Sequence, residues 1–96
     1  MEITPIAKKA ATTKEKQHMG RVAALSCALC GDSPVQVHHI REGQGMSQRA
    51  SHFLTVPLCP DCHTGPNGVH GDKRMLKIAK LSELDLLADT IAVLTA

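Results

Sequence analysis

Residues 27–63 read CALCGDSPVQVHHIREGQGMSQRASHFLTVPLCPDCH, and two features of that stretch decide the fold. The first is a pair of Cys-x-x-Cys motifs, Cys27–Cys30 and Cys59–Cys62, with 28 residues between them. One such turn brings two sulfurs to an ion, and two turns complete the tetrahedral four-thiolate set of a structural zinc. The second feature is what lies between the motifs. Residues 35–40 have strand composition, a polar loop with Gly43 and Gly45 follows, and residues 52–56 have strand composition again, ended by Pro57. The spacing predicts an antiparallel hairpin that leaves the metal and returns to it. Four thiolates leave no position for water, so this ion is a staple.

The chain needs one. It has 96 residues and is 43% hydrophobic, but it contains no Trp or Tyr and a single Phe, Phe53. Aromatic side chains carry much of the buried area of ordinary cores, and small domains bury little to begin with. Four Cys could instead form a secreted disulfide framework. The first residues, MEITPIAKKAATTKEKQ, lack the apolar run and cleavage site of a signal peptide, and no stretch has the length of a membrane span. These features point to a soluble protein of the cytoplasm, where thiols stay reduced.

Outward from the motifs, residues 17–25 read as a short helix, with Met19, Val22, Ala23 and Leu25 facing the body and His18 incidental on its outer face. Residues 1–16 read as a basic, loosely ordered arm, and 17–96 as the domain. Lys8, Lys9, Lys14, Lys16 and Arg21 meet only Glu2 and Glu15, while the net charge of the whole chain is +2. Such an arm can lie along a phosphate backbone or be a solvated terminus. After Cys62, His63 sits in a short helical turn that Gly65, Pro66 and Gly68 break. Residues 73–80 form a second short helix with Met75, Leu76, Ile78 and Ala79 partly buried. Ser82 caps a longer one, in which Leu84, Leu87, Ala88, Ile91 and Leu94 make an apolar stripe that closes the core.

The histidines add chemistry to this α+β frame. His38 and His39 end the first strand, and His63 directly follows the last Cys. Clamping the cysteines brings His63 toward that strand, so three imidazoles converge beside the zinc and fit a second divalent cation with open positions. Strand alternation sets a condition. Adjacent side chains point to opposite faces, so His38 and His39 serve one site only if the strand ends or bulges there.

CALC, VHHI and LCPDCH resemble the pattern of HNH (His-Me finger) endonucleases over roughly residues 27–70. The string HHIREGQGMSQRASHFLTVPLCPDCHTGPNGVHGDK is similar, more narrowly, to phage Ref-type nucleases, including the Ser51-His52 step and His70 after Gly68. The resemblance implies a ββα-metal fold with flanking helices, and DNA cleavage at sites paired by a RecA filament in recombination. It puts His39 at the general-base position, and His38 and His63 at ligand positions for Mg²⁺ or another divalent cation. His70 and His52 either complete that cation's shell, bind a further zinc or hydrogen-bond a ligand from behind. Many members carry an Asn between the paired His and the last CxxC. Residues 51–58 have none, so support for the loop or the base must come from elsewhere, such as the Val37 or Thr55 backbone.

These residue types suit phosphodiester hydrolysis. Imidazole titrates near neutral pH, as a base activating water requires, and a cation held by neutral ligands keeps its charge for the transition state. Arg41 and Arg49 in the loop bind a flanking phosphate or are simply solvated. The expectation is a DNA endonuclease acting as a monomer or weak oligomer, with targeting supplied by a partner or by DNA shape. A non-catalytic zinc module binding nucleic acid or protein is the alternative, and an RNA-processing nuclease a third reading.

Overall fold

A computed structural model describes residues 10–45, 48–71 and 73–96. Its element order is α1 (Thr13–Ala23), β1 (Gln36–His39), β2 (Thr55–Leu58), α2 (Pro60–Thr64), α3 (Arg74–Ala79) and α4 (Glu83–Leu94). The two strands pair antiparallel, with His38 opposite Val56 and His39 opposite Thr55. This is a small α+β domain, and no helix among the described residues is long and apolar enough to cross a membrane.

Helix α1 starts four residues before the expected position because Thr12 and Glu15 form a capping box. The Thr12 amide donates to Glu15 Oε1 at 2.7 Å, and the Glu15 amide donates to Thr12 Oγ1 at 3.1 Å. Lys14 and Lys16 therefore stand on a helix, exposed, while Lys8 and Lys9 lie outside the described residues. Val22 is fully buried, but Ala23 is exposed and Leu25 falls beyond the helix end. His18 is half-buried rather than outward, its ring 5.3 Å from that of Phe53.

Strand β2 also runs further than expected. Pro57 lies inside it, opposite Val37. In a two-stranded sheet alternate N–H groups have no ladder partner, so a residue without one is tolerated. The Pro57 carbonyl accepts the Ala28 amide at 2.9 Å, which fastens the first cysteine turn to the sheet.

The core gathers Ile40, Val56, Leu58, Val69, Leu76, Leu86 and Leu87 around Cys27, Cys59 and Cys62. Ser82 caps α4 as expected, through a box closed by Asp85. The buried face of α4 differs from the expected stripe. It comprises Glu83, Leu86, Leu87 and Thr90, while Leu84 and Ile91 are 49% and 45% exposed and Ala88 is exposed too. The rotation has a polar cause: Glu83 is tied down by hydrogen bonds to β1 and the loop after it, and the helix turns that residue inward. In α3 only Leu76 is buried, Met75 is half-buried, and Ile78 and Ala79 face solvent.

Candidate functional site

Both cysteine turns present sulfur to one point. Gly31 takes φ +85°, a left-handed conformation open to glycine, and closes the first turn by donating to the Cys27 carbonyl at 2.9 Å. The Leu29 and Cys30 amides donate to Cys27 Sγ at 3.4 Å each. Cys59 caps α2 in an extended conformation, and Pro60 opens the helix, which carries Cys62 inward. All four thiols are free and their sulfurs lie within 4.8 Å of one another. Cys30 and Cys59 Sγ are 3.5 Å apart. Tetrahedral zinc with bonds near 2.3 Å needs sulfur separations of about 3.8 Å, so the tetrad fits structural zinc. Burial raises the Cys27 thiol, but the surrounding amides outweigh it and bring it down to about 7; burial and the neighbouring sulfurs push Cys62 up. A zinc ion bound there would resolve that contrast by holding all four as thiolates.

A second cluster lies on one face of β1. Nitrogens of His38, His63 and His70 lie within 4.8 Å of one another, the three side chains grading from buried through half-buried to exposed. His63 arrives on α2, one residue past Cys62, so the cysteine clamp places it. His70 arrives because the chain turns back over α2. Val69 donates to the Cys62 carbonyl at 2.8 Å and His70 to the His63 carbonyl at 3.0 Å. That crossing needs Gly68, where a Cβ would sit 2.6 Å from the Cys62 carbonyl oxygen and 2.7 Å from that of Asp61.

Two residues orient the cluster from behind. His63 Nδ1 donates to Gln36 Oε1 at 2.7 Å, which turns its Nε2 lone pair toward His70 Nε2, 3.0 Å away. His38 Nε2 bonds Glu83 Oε2, leaving Nδ1 for a cation. A carboxylate or amide behind a histidine ligand fixes its tautomer and raises its basicity. Burial, then His38 and His70, hold His63 down at about 4, and burial, then His38, also lowers His70. Both rings are neutral near pH 7, as coordination requires. Burial pushes the Glu83 carboxyl up, but its bond from His38 and the amides of Arg41 and Glu42, at 2.9 and 2.8 Å, prevail, and the group is held below its usual range.

His39 does not join them. The strand runs straight through the pair, so His39 points to the opposite face, where its Nε2 meets His52 Nδ1 at 2.8 Å. The expected meeting of His38, His39 and His63 is thus a meeting of His38, His63 and His70. His52 stands behind His39, held by the Thr55 hydroxyl, which donates to the His52 carbonyl at 3.3 Å. Burial, then His52, Arg49 and His38, lower His39 below the usual imidazole range. Arg49 is exposed beside it, whereas the Arg41 guanidinium braces the loop by donating to the Gln48 and Gly45 carbonyls.

Sequence reading missed Gln36 and Glu83. Gln36 was within reach, since positions two apart share a strand face and Gln36 stands two before His38. Glu83 carried no local sign beyond its place in the first turn of a helix. No protein-family model matches the chain, and no curated protein matches it.

Proposed function

We propose that the chain is an HNH-type, metal-dependent endonuclease that hydrolyses phosphodiester bonds in DNA. The observation that carries this reading is the His38, His63 and His70 cluster, oriented by Glu83 and Gln36 and open on the His70 side. Three neutral imidazoles leave coordination positions free, as catalytic rather than structural metal sites do. A divalent cation there supplies positive charge for the transition state and the departing 3′ oxygen. An all-nitrogen set suits Mn²⁺, Zn²⁺, Co²⁺ or Ni²⁺ better than Mg²⁺, which takes oxygen ligands.

His39 is the general base in this reading. With its Nε2–H donated to His52 Nδ1, the lone pair sits on Nδ1, free to take a proton from water. His52 thereby does for this chain what an Asn does in the family that it resembles. A scissile phosphate lying across the end of β1 would meet the cluster on one face and His39 on the other.

The test is nicking of a supercoiled plasmid with each of Mg²⁺, Mn²⁺, Co²⁺, Ni²⁺ and Zn²⁺, with and without RecA filaments. His39→Ala should abolish cutting with zinc content and melting temperature unchanged. A non-catalytic zinc module has one observation in its favour, the turn of His39 away from the cluster. Absence of cutting by the native chain with every metal and with RecA would establish that alternative, and preference for RNA would redirect the substrate.

A further inference from the structure

Residues 73–80 read KRMLKIAK, four cations with no acid. Lys73, Lys77 and Lys80 line one groove, with Arg41 on its other wall and Leu76 in its floor. The groove has two carboxylates. Glu83 is buried and turned to His38 and two backbone amides, and Glu42 lies exposed at the rim. Among the described residues none of the three lysines pairs with a carboxylate. The groove adjoins the histidine cluster through Glu83, which lines it and bonds His38.

The backbone supplies an independent observation. Lys73 and Lys80 take φ +60° and +57°, and they are the only non-glycine residues with positive φ among those described. They flank α3 on both sides, Lys80 as its C-cap, donating to the Leu76 and Lys77 carbonyls. Glycine is the inexpensive residue for that conformation and the usual one just past a helix end. Helix geometry therefore does not account for lysine at these two positions; the groove that both line gives them a use.

We propose that this groove is a phosphate track, in which Lys73, Lys77 and Lys80 seat the backbone of duplex DNA and lead one strand toward the His38, His63 and His70 cluster. The inference rests on the nuclease reading for the identity of its ligand. Lysines placed this way bind phosphate without reading bases, so the track positions DNA and carries no sequence preference.

The experiment uses the zinc-loaded full chain and a fluorescent 20-base-pair duplex, followed by anisotropy across a salt series with no other divalent cation added. The K73G/K80G double variant removes both charges while easing both backbones, so its melting temperature should equal or exceed that of the native chain. Its affinity should fall on the order of tenfold or more at 0.1 M salt. The slope of log K against log salt should flatten by about two, since each phosphate that a lysine neutralises adds about 0.9 to it. Lys77→Ala, at an exposed helical position, should flatten the slope by about one and decides the matter if the double variant melts early. Native affinity and slope in a folded variant would overturn the track, as would absence of duplex binding by the native chain. Plasmid nicking separates the two proposals. Lysine-dependent binding without nicking keeps the track and removes the nuclease, and nicking with lysine-independent binding does the reverse.

Discussion

The Glu83 carboxylate bonds His38 Nε2 across 45 residues of chain, joining the first turn of α4 to strand β1. The same carboxylate accepts the amides of Arg41 and Glu42, so one buried side chain sets the rotation of α4, the start of the long loop and the orientation of a candidate metal ligand. Glu83→Ala would leave three donors without a partner and should cost about 3 kcal/mol or more. Glu83→Gln keeps an acceptor and should cost less. Both should weaken cation binding at the histidine cluster by roughly 10- to 100-fold. Thermal melts and cobalt titration of the zinc-loaded variants read the two effects separately; a Glu83→Gln variant with native cobalt affinity would detach Glu83 from the site.

Zinc removal should unfold the domain. The sulfurs of Cys27, Cys59 and Cys62 lie in the core beside Leu58 and Leu86, and stripping the ion leaves buried thiols where thiolates had been bridged. Elemental analysis should find one zinc per chain that survives mild chelation, and Cys62→Ser should lose both that zinc and the cooperative melt. His63→Ala should keep it. A chelated chain with unchanged circular dichroism would show that the staple is dispensable.

Gly68→Ala tests how His70 is delivered. A methyl group there meets two backbone carbonyls within 3.0 Å, so α2 and the turn must separate. The expected cost is at least about 2 kcal/mol, from overpacking against atoms that cannot swing aside. Cation binding at the histidine cluster should fall with it, while Gly20→Ala, inside α1 with open space around the added carbon, should leave cation binding unchanged and raise stability by about 0.5–1 kcal/mol. Native cobalt affinity in Gly68→Ala would break the link between the crossing and the cluster.

The nicking rate should depend on pH through His39. The base works when neutral, and burial together with His52, Arg49 and His38 lowers its pKa from the usual 6.5. A lowered pKa means that the neutral form already dominates at pH 6.5. The rate should therefore be flat from about pH 7 upward and fall only below 6.5. His52→Ala removes the hydrogen bond that sets the His39 tautomer and ring orientation, so its rate should drop about 10- to 100-fold, as loss of a group that orients a functional imidazole does. His52→Asn, which can accept the same bond, should recover part of it. A rate that rises continuously through pH 8 in the native chain would exclude His39 as the base.

The sequence by itself determined the staple and what hangs directly on it. Two CxxC turns separated by a hairpin's length bring four sulfurs within reach of one ion, and the residue after the last Cys, His63, follows them to the strand. Cap chemistry is equally local, as at Ser82 and in the Thr12–Glu15 box, whose residues stand three apart in the chain. Only the tertiary structure decided which histidines meet. His38 and His39 are neighbours in the chain, yet strand alternation sends them to opposite faces, toward His70 and His52. The buried side of α4 was decided in the same way. Its periodicity allowed a face centred on Leu84 and Ile91, but burying the Glu83 carboxylate against His38 and two amides turned the helix to another. Local patterns record a residue's own preferences; partners 45 residues apart are chosen by the closure of the fold, where one unsatisfied buried charge outweighs a stripe of half-exposed leucines.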